Sequence, residues 1–533
     1  MDTQNLITFD EDYLNLASNF TRPIDFYEDF YYIRNNMNLY NNTVCTANFS
    51  NKIRYPLLVK VLRQCFLDNS ALVLTVVKSL KINENQPSFA PLKLIRLKDV
   101  VDIKFSSINH INDQLLAEVD KTFFDFNNRT PLFKLYLLNN FHHLICAGNH
   151  IIFDGGSHLL LFREILTNLI KFDADSLNST NSQKNSDSNP NTKSSSDPSS
   201  DSDFDFNSYK DEILFDLSND HIFLKNMPLG LDTAIEDCNS PIFFAVKDLF
   251  KYFAPKNLRD YKIFGGPVPN SWTGYTLAQP VPKNQIIFKL KRLDPKVVET
   301  IKINCRKNSV TITPFIEIAF YLILNKHLQS NIKSGIVKKD DIGYHYDSFR
   351  TFLAMDARRF YMNKNLVQNP DNAWGCYALQ VDYLVQTDQF IKNDNKFNWD
   401  YVKQSNDKVR EICKGRDPVN HMAIMKFTKR ENVFKTGLGR PRESTLQISN
   451  VGLVDFDKYI TSTALKNDNN WRIDDMAGSQ SLGSTRCNLK LSIITTKDSG
   501  MCLQFSAIRD DKISYENIIE ECVDFLKSEK YCV

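Results

Sequence analysis

The densest chemistry in this chain is Asn149-His150-Ile151-Ile152-Phe153-Asp154-Gly155-Gly156. An imidazole titrates near neutrality and can give or take a proton there. A bare His-x-x-x-Asp carries little weight. The chain has 9 His, so about 0.8 such matches arise by chance, and requiring the following Gly cuts that to about 0.025. Asp154 comes four residues after His150, beyond a turn, so it need not touch the imidazole. Gly155 and Gly156 are expected to keep the turn tight and to let a substrate approach the backbone.

The surrounding elements must hold that histidine. Pro131–Leu138 and His143–Ile152 read as two strands joined by a short turn. Ser157–Ile170 reads as the helix that follows, with Ser157 as its N-cap. His150 is then fixed at a strand end, and a reacting group needs such placement. Upstream, Phe20–Asn38 is mainly helical and Thr43–Phe49 is a strand. Tyr55–Asp68 is an amphipathic helix and Ala71–Val77 a short buried strand. Downstream, Gln285–Leu290 is a strand. Thr313–Leu328 is the clearest helix, with Thr313 as N-cap and Pro314 at the first helical position. Thr351–Arg358, Cys376–Tyr383, Thr445–Val454, Leu489–Thr496 and Met501–Ala507 add strands.

The expected fold class is mixed α/β in two subdomains. Residues 1–235 form the first, 236–284 a crossover rich in Pro and Gly at 264–275, and 285–533 the second. Residues 176–202 are dominated by Ser, Asn and Asp and are expected to form a disordered surface loop.

Composition narrows the function. The chain has 533 residues, 42% of them hydrophobic, enough for a large core. Its 65 Lys+Arg balance 63 Asp+Glu, which leaves no basic field for nucleic acid. No window of 18 apolar residues exists to span a membrane. The acidic first residues lack a leader pattern, and the 11 cysteines contain no CxxC. A cytoplasmic protein with reduced thiols is expected.

His-x-x-x-Asp-Gly at a strand-to-helix turn resembles the signature of the chloramphenicol-acetyltransferase-like acyltransferases. Within them the chain most resembles the fungal alcohol O-acetyltransferases. Matching segments follow in order: Arg22–Glu28 with Tyr31 and Arg34; Tyr55–Val77; Thr313-Pro314-Phe315; Met355–Arg359; Trp374–Tyr377; and Gln447–Gly452. Together they span about residues 20–510. The Asp-Phe-Gly-Trp-Gly element of the plant branch is absent, and the Ser-rich loop is an insertion by this comparison.

The resemblance implies two lobes with a tunnel between them and transfer of an acetyl group from acetyl-CoA to a small or medium hydrophobic alcohol. His150 would be the general base, acting without a covalent enzyme intermediate. A base so positioned contributes about 10²–10⁴ in rate. Asp154 would point away and pair with an Arg of the second half; Arg358 is the best match and Arg359 the next. Ser449 and Asn450 are the candidate oxyanion donors, worth roughly 3–4 kcal/mol. Coenzyme A contacts are not placed, and no permanently bound cofactor is expected.

Other readings fit parts of the same pattern. The same geometry suits a sphingoid-like or toxic amphiphilic amine, which would make the enzyme an N-acetyltransferase. A non-catalytic ligand-binding protein would need no intact His, Asp and Gly-Gly. His142, His143 and His158 lie near His150, but no Cys/His pair at zinc-like spacing joins them. Gly437–Arg440 is a turn, not a phosphate loop. Family members also sit peripherally on the endoplasmic reticulum or lipid droplets. Phe20–Asn38 and Tyr515–Tyr531 have the amphipathic character for that, but read better as helices packed on a core. A monomer suffices for two lobes sharing one tunnel.

Overall fold

The structure is a computed structural model that describes residues 11–40, 42–78, 86–184, 201–224, 227–253, 270–280, 285–459 and 471–532. Two sheets carry the architecture. The first runs Ile473–Gln480, Asn42–Phe49, His143–Asn149, Phe133–Leu137 and Val101–Asp102, antiparallel except for the last pair. The second has Ser348–Asp356, Ser444–Val454 and Cys487–Thr496 in parallel at its centre. Gly500–Ile508 and then Ile286–Leu293 extend it antiparallel on one side. Ala378–Gln386 pairs antiparallel with Ser348–Asp356, and Ser271–Trp272 pairs with it in parallel.

The strand Ile473–Gln480 changes the expected division at residue 285. It belongs by sequence to the second half, yet it pairs with Asn42–Phe49 in the first half's sheet. It buries both Met476 and Ala477, and Gly478 lets the Ile494 side chain pass close by. The lobes are therefore tied by backbone hydrogen bonds as well as by side chains.

His143–Asn149 is buried nearly throughout because it faces two cores. Leu144 and Cys146 join the large core, and Ile145 and Ala147 join a smaller one with Leu115, Leu116 and Tyr136. The helix Phe26–Asn36 starts at a capping box in which Asp25 accepts from Tyr27 and Glu28 while Glu28 reaches back to the Asp25 N–H. The helix Tyr55–Asp68 buries Leu58, Val61, Leu62, Cys65 and Phe66 on one face, the three-and-four spacing seen in its sequence. Tyr515–Lys527 likewise buries Ile518, Ile519, Cys522 and Val523. Both amphipathic candidates for a membrane surface thus face the core.

Several boundaries differ from expectation. The strand before the motif ends at Asn149, because its side chain and carbonyl cap a turn by accepting from the N–H groups of Ile151, Ile152 and Phe153. The helix Ile312–Lys333 is capped by position at Thr311, leaving Thr313 inside it. Part of the expected strand Ala71–Val77 is a 3-10 turn, Ser70–Val73, and the strand proper is Leu74–Lys78. The helix after the motif runs Gly155–Lys184, so the first residues of the Ser-rich segment are helix and not loop. No Gly or Pro follows Gly156 within it, and a formed helix propagates until something stops it. Residues 185–200 of that segment lie outside the described residues, as do 254–269 and 281–284 of the crossover; the described part of the crossover holds the helix Ile242–Phe253. Among the described residues no single helix is long and apolar enough to cross a membrane.

Candidate active site at the meeting of the two lobes

Asp154, not Ser157, caps the helix that follows the motif. Its Oδ1 accepts from the Ser157 N–H at 2.8 Å, and its carbonyl accepts from His158 N–H. Arg358, just past the strand Ser348–Asp356, approaches from the other lobe. Its Nη1 lies 2.8 Å from Asp154 Oδ2 and its Nη2 lies 3.0 Å from Oδ1, a bidentate pair. Tyr377 N–H adds a fourth bond to the carboxylate at 2.8 Å. The guanidinium also donates to the Ala373 and Gly375 carbonyls, to Ser157 Oγ and to Asp356. Burial pushes the Asp154 carboxyl upward. The Arg358 charge and these hydrogen bonds outweigh that, and hold it below the usual carboxylate range. Arg359, the alternative partner, is exposed.

The two glycines act differently from each other. A Cβ on Gly156 would stand 2.5 Å from Arg358 Nη1 and 2.8 Å from its Cζ, so this glycine makes room for the guanidinium. A Cβ on Gly155 would meet only Val451, at an ordinary 3.5 Å. Neither residue has a positive φ, so the turn does not need their left-handed freedom. Gly148 is a third, unforeseen requirement: a Cβ there would strike the Phe153 ring at 2.5 Å.

His150 follows the strand end and makes no hydrogen bond to Asp154. Its ring stacks on Tyr31 with centroids 4.3 Å apart and lies 5.6 Å from the Tyr40 ring. Nδ1 lies 3.4 Å from Cys376 Sγ. The ring also hydrogen-bonds its own backbone, a contact only Nδ1 can reach. That contact assigns the hydrogen to Nδ1 and leaves Nε2 with its lone pair. Burial pushes the imidazole down to about 3; the Asp154 charge opposes this, and Arg34 and Lys490 reinforce it. The ring is neutral at every physiological pH, 9% exposed, and Nε2 has no hydrogen-bond partner among the described residues.

Ser449 and Asn450 part company. Ser449 lines a cavity with Gly155. Asn450 is used elsewhere: its Nδ2 donates to Thr313 Oγ1 at 2.8 Å and its Oδ1 accepts from Gly452 N–H at 2.9 Å, pinning a bulge to the long helix. The other histidines of the region are separately engaged: His142 with the Phe49 carbonyl, His143 with Asn140, His158 with Thr43.

Sequence reasoning named Tyr31 and Arg34 within a matching segment but gave them no role at the imidazole. Tyr27, Tyr31 and Arg34 lie on one face of the helix Phe26–Asn36, at i, i+4 and i+7, and all three are buried. Tyr27 Oη lies 3.1 Å from Tyr31 Oη and donates to the Ala378 carbonyl. Arg34 lies over the Tyr40 ring, 4.4 Å from its centroid. A polar stripe at helical spacing on an otherwise apolar face was the available signal.

The family model for alcohol acetyltransferases matches residues 25–529. The chain belongs to the alcohol acetyltransferase family. It is an acyltransferase, with the two-lobed fold of the chloramphenicol-acetyltransferase-like enzymes. The trichothecene 15-O-acetyltransferase TRI3 from Fusarium sporotrichioides is a structural relative of this family member, with a TM-score of 0.60 over 96% of this chain and 94% of that one at 10% identity. The epimerization domain of the third module of tyrocidine synthetase B matches with a TM-score of 0.53 at 10% identity, covering 96% and 95%. The condensation domain of the Monacolin K polyketide synthase MokA matches at 0.51 and 12% identity, covering 96% and 97%. At these identities the likeness is one of fold. No curated protein matches by sequence.

Proposed function

We propose that this chain transfers the acetyl group of acetyl-CoA to the hydroxyl of a hydrophobic alcohol, with His150 as general base. The observation that supports this reading most is the state of His150: a neutral ring, its hydrogen held on Nδ1, its Nε2 unpartnered, on a turn fixed by the Asp154–Arg358 pair. Nε2 takes the hydroxyl proton as the oxygen attacks the thioester carbonyl. The tetrahedral intermediate collapses with loss of the coenzyme A thiolate, which recovers the proton from the imidazolium. The Asn450 amide is bonded to Thr313 Oγ1, which leaves Ser449 as the oxyanion candidate of the two. Asp154 and Arg358 are positioning residues in this scheme and move no proton.

The test is release of coenzyme A thiol from acetyl-CoA with a panel of alcohols and amines, for wild type and His150→Ala. Release that depends on an alcohol and falls by at least about 10²-fold in His150→Ala is expected. Preference for an amine would convert the reading to N-acetyl transfer. No release and no acetyl-CoA binding by the folded protein would overturn it.

A further inference from the structure

His158 is a buried histidine that this reaction does not use. It lies one turn into the helix Gly155–Lys184, 2% exposed. Its Nε2 is 2.8 Å from Thr43 Oγ1, and the ring also hydrogen-bonds the Thr43 backbone in a way that favours a hydrogen on that nitrogen. Thr43 Oγ1 in turn has the Gly148 and Phe153 carbonyls, each at 3.4 Å, to donate to. The network therefore assigns the hydrogen to Nε2 and leaves Nδ1 as a pure acceptor. Burial lowers the ring to about 4, so it stays neutral.

Nδ1 of His158 has no partner. Neither has Ser479 Oγ nor Ser492 Oγ, and all three atoms are buried. Their residues line one cavity of about 30 Å³, together with Gly155 and Ser449. Ser492 is the register partner of Ser449 in the second sheet. Ser479 lies on the strand that crosses into the first sheet. The cavity thus sits where the lobes join, at the start of a long helix whose dipole favours an electron-rich oxygen. Three unmet polar groups in one buried space cost free energy until a ligand or water meets them. The volume holds one small polar group.

The chemistry of the wall selects that group. His158 can only accept, and the two hydroxyls can give or accept. A complementary group has a hydrogen to donate and an oxygen beside it, as a hydroxyl or a secondary amide does. A carboxylate, an ether or a plain alkyl segment leaves Nδ1 unmet. We propose that this cavity is a substrate subsite in which His158 accepts an O–H or N–H hydrogen and Ser479 and Ser492 hold the adjoining oxygen. Two carriers share that chemistry, a second hydroxyl on the acyl acceptor and an amide in the arm of the thioester donor. Naming them rests on the acetyl-transfer reading; the subsite itself does not. His158 is then a specificity residue, separate from the base.

Two substitutions separate this from a packing role. His158→Gln keeps an N–H toward Thr43 and loses the acceptor. His158→Asn places an oxygen near the position of Nδ1. KM is measured separately for acetyl-CoA and for the best acceptor, with coenzyme A binding followed by calorimetry. His158→Gln is expected to raise one of the two KM values by about 10–10²-fold with kcat within about threefold, because a site built for a hydrogen-bonding group is left unmet. His158→Asn should recover most of that loss. Ser492→Ala should weaken the same substrate by about threefold to tenfold. The substrate whose KM moves is the one that carries the group. Should His158→Gln melt early, the Ser479→Ala, Ser492→Ala double variant carries the test. Both KM values and coenzyme A binding within twofold of wild type, in a variant that melts normally, would overturn the proposal and leave the cavity to water. Loss of coenzyme A binding in a protein that transfers no acetyl group would sink the transfer reading and leave the subsite standing.

Discussion

The two flanks of the motif turn differ in how their buried polar groups are met. On the Asp154 side the carboxylate has four hydrogen bonds, and the Arg358 guanidinium donates to oxygens on every side. On the other side, His158 Nδ1, Ser479 Oγ and Ser492 Oγ are buried without partners around one cavity, and His150 Nε2 also has none among the described residues. A satisfied network rigidifies a fold. An unsatisfied one around a cavity fits a surface waiting for substrate. On the proposed reading the motif divides its labour: Asp154 holds and His150 reacts.

Substitutions on the satisfied side should cost stability first. Arg358→Ala strands a buried carboxylate and should destabilise by about 3–5 kcal/mol, read from urea unfolding. Asp154→Asn, which keeps the shape and removes the charge, should cost less than Asp154→Ala. The glycines sharpen the contrast. Gly156→Ala pushes a Cβ into the guanidinium and should cost about 1–3 kcal/mol. Gly155→Ala meets ordinary contacts and should stay within about 0.5 kcal/mol, whatever it does to substrate affinity. Equal losses at the two positions would break the comparison.

Acidification tests the unsatisfied side. Burial holds His143 and His158 at about 4 and His150 at about 3, below the roughly 6.5 of an unfolded histidine. The unfolded chain then binds protons that the folded chain refuses, so stability falls as pH drops below about 6.5 and keeps falling toward 4. His158→Gln should flatten part of that slope. Smallest of all, Asn450→Ala should cost about 1 kcal/mol through its bond to Thr313 with little change in turnover, while Ser449→Ala should lower turnover with little change in stability.

Much of the fold was legible where periodicity was strong. Tyr55–Asp68 is a helix between the very residues its apolar spacing marks, and Ser444–Val454 and Cys487–Thr496 begin within two residues of their expected starts. The pairing of Asp154 with Arg358 was reached through the family resemblance, and the geometry brings the two together. Local sequence did not show which residue caps the helix, since Asp154 and Ser157 are both good caps and only the Arg358 approach separates their roles. Nor did it show that Ile473–Gln480 would cross to the other sheet, because strand partners are set by tertiary packing and not by propensity. The aromatic setting of His150 depends on contacts across more than 100 residues, which no window of sequence contains.

The central claim is the division between a reacting His150 and a holding Asp154. The most direct measurement is thiol release from acetyl-CoA alongside the melting temperature, on matched preparations of wild type, His150→Ala and Asp154→Ala. The account predicts that His150→Ala melts within a few degrees of wild type and loses at least about 10²-fold in turnover, whereas Asp154→Ala melts much earlier. A His150→Ala protein that is folded and turns over acetyl-CoA at the wild-type rate would contradict it.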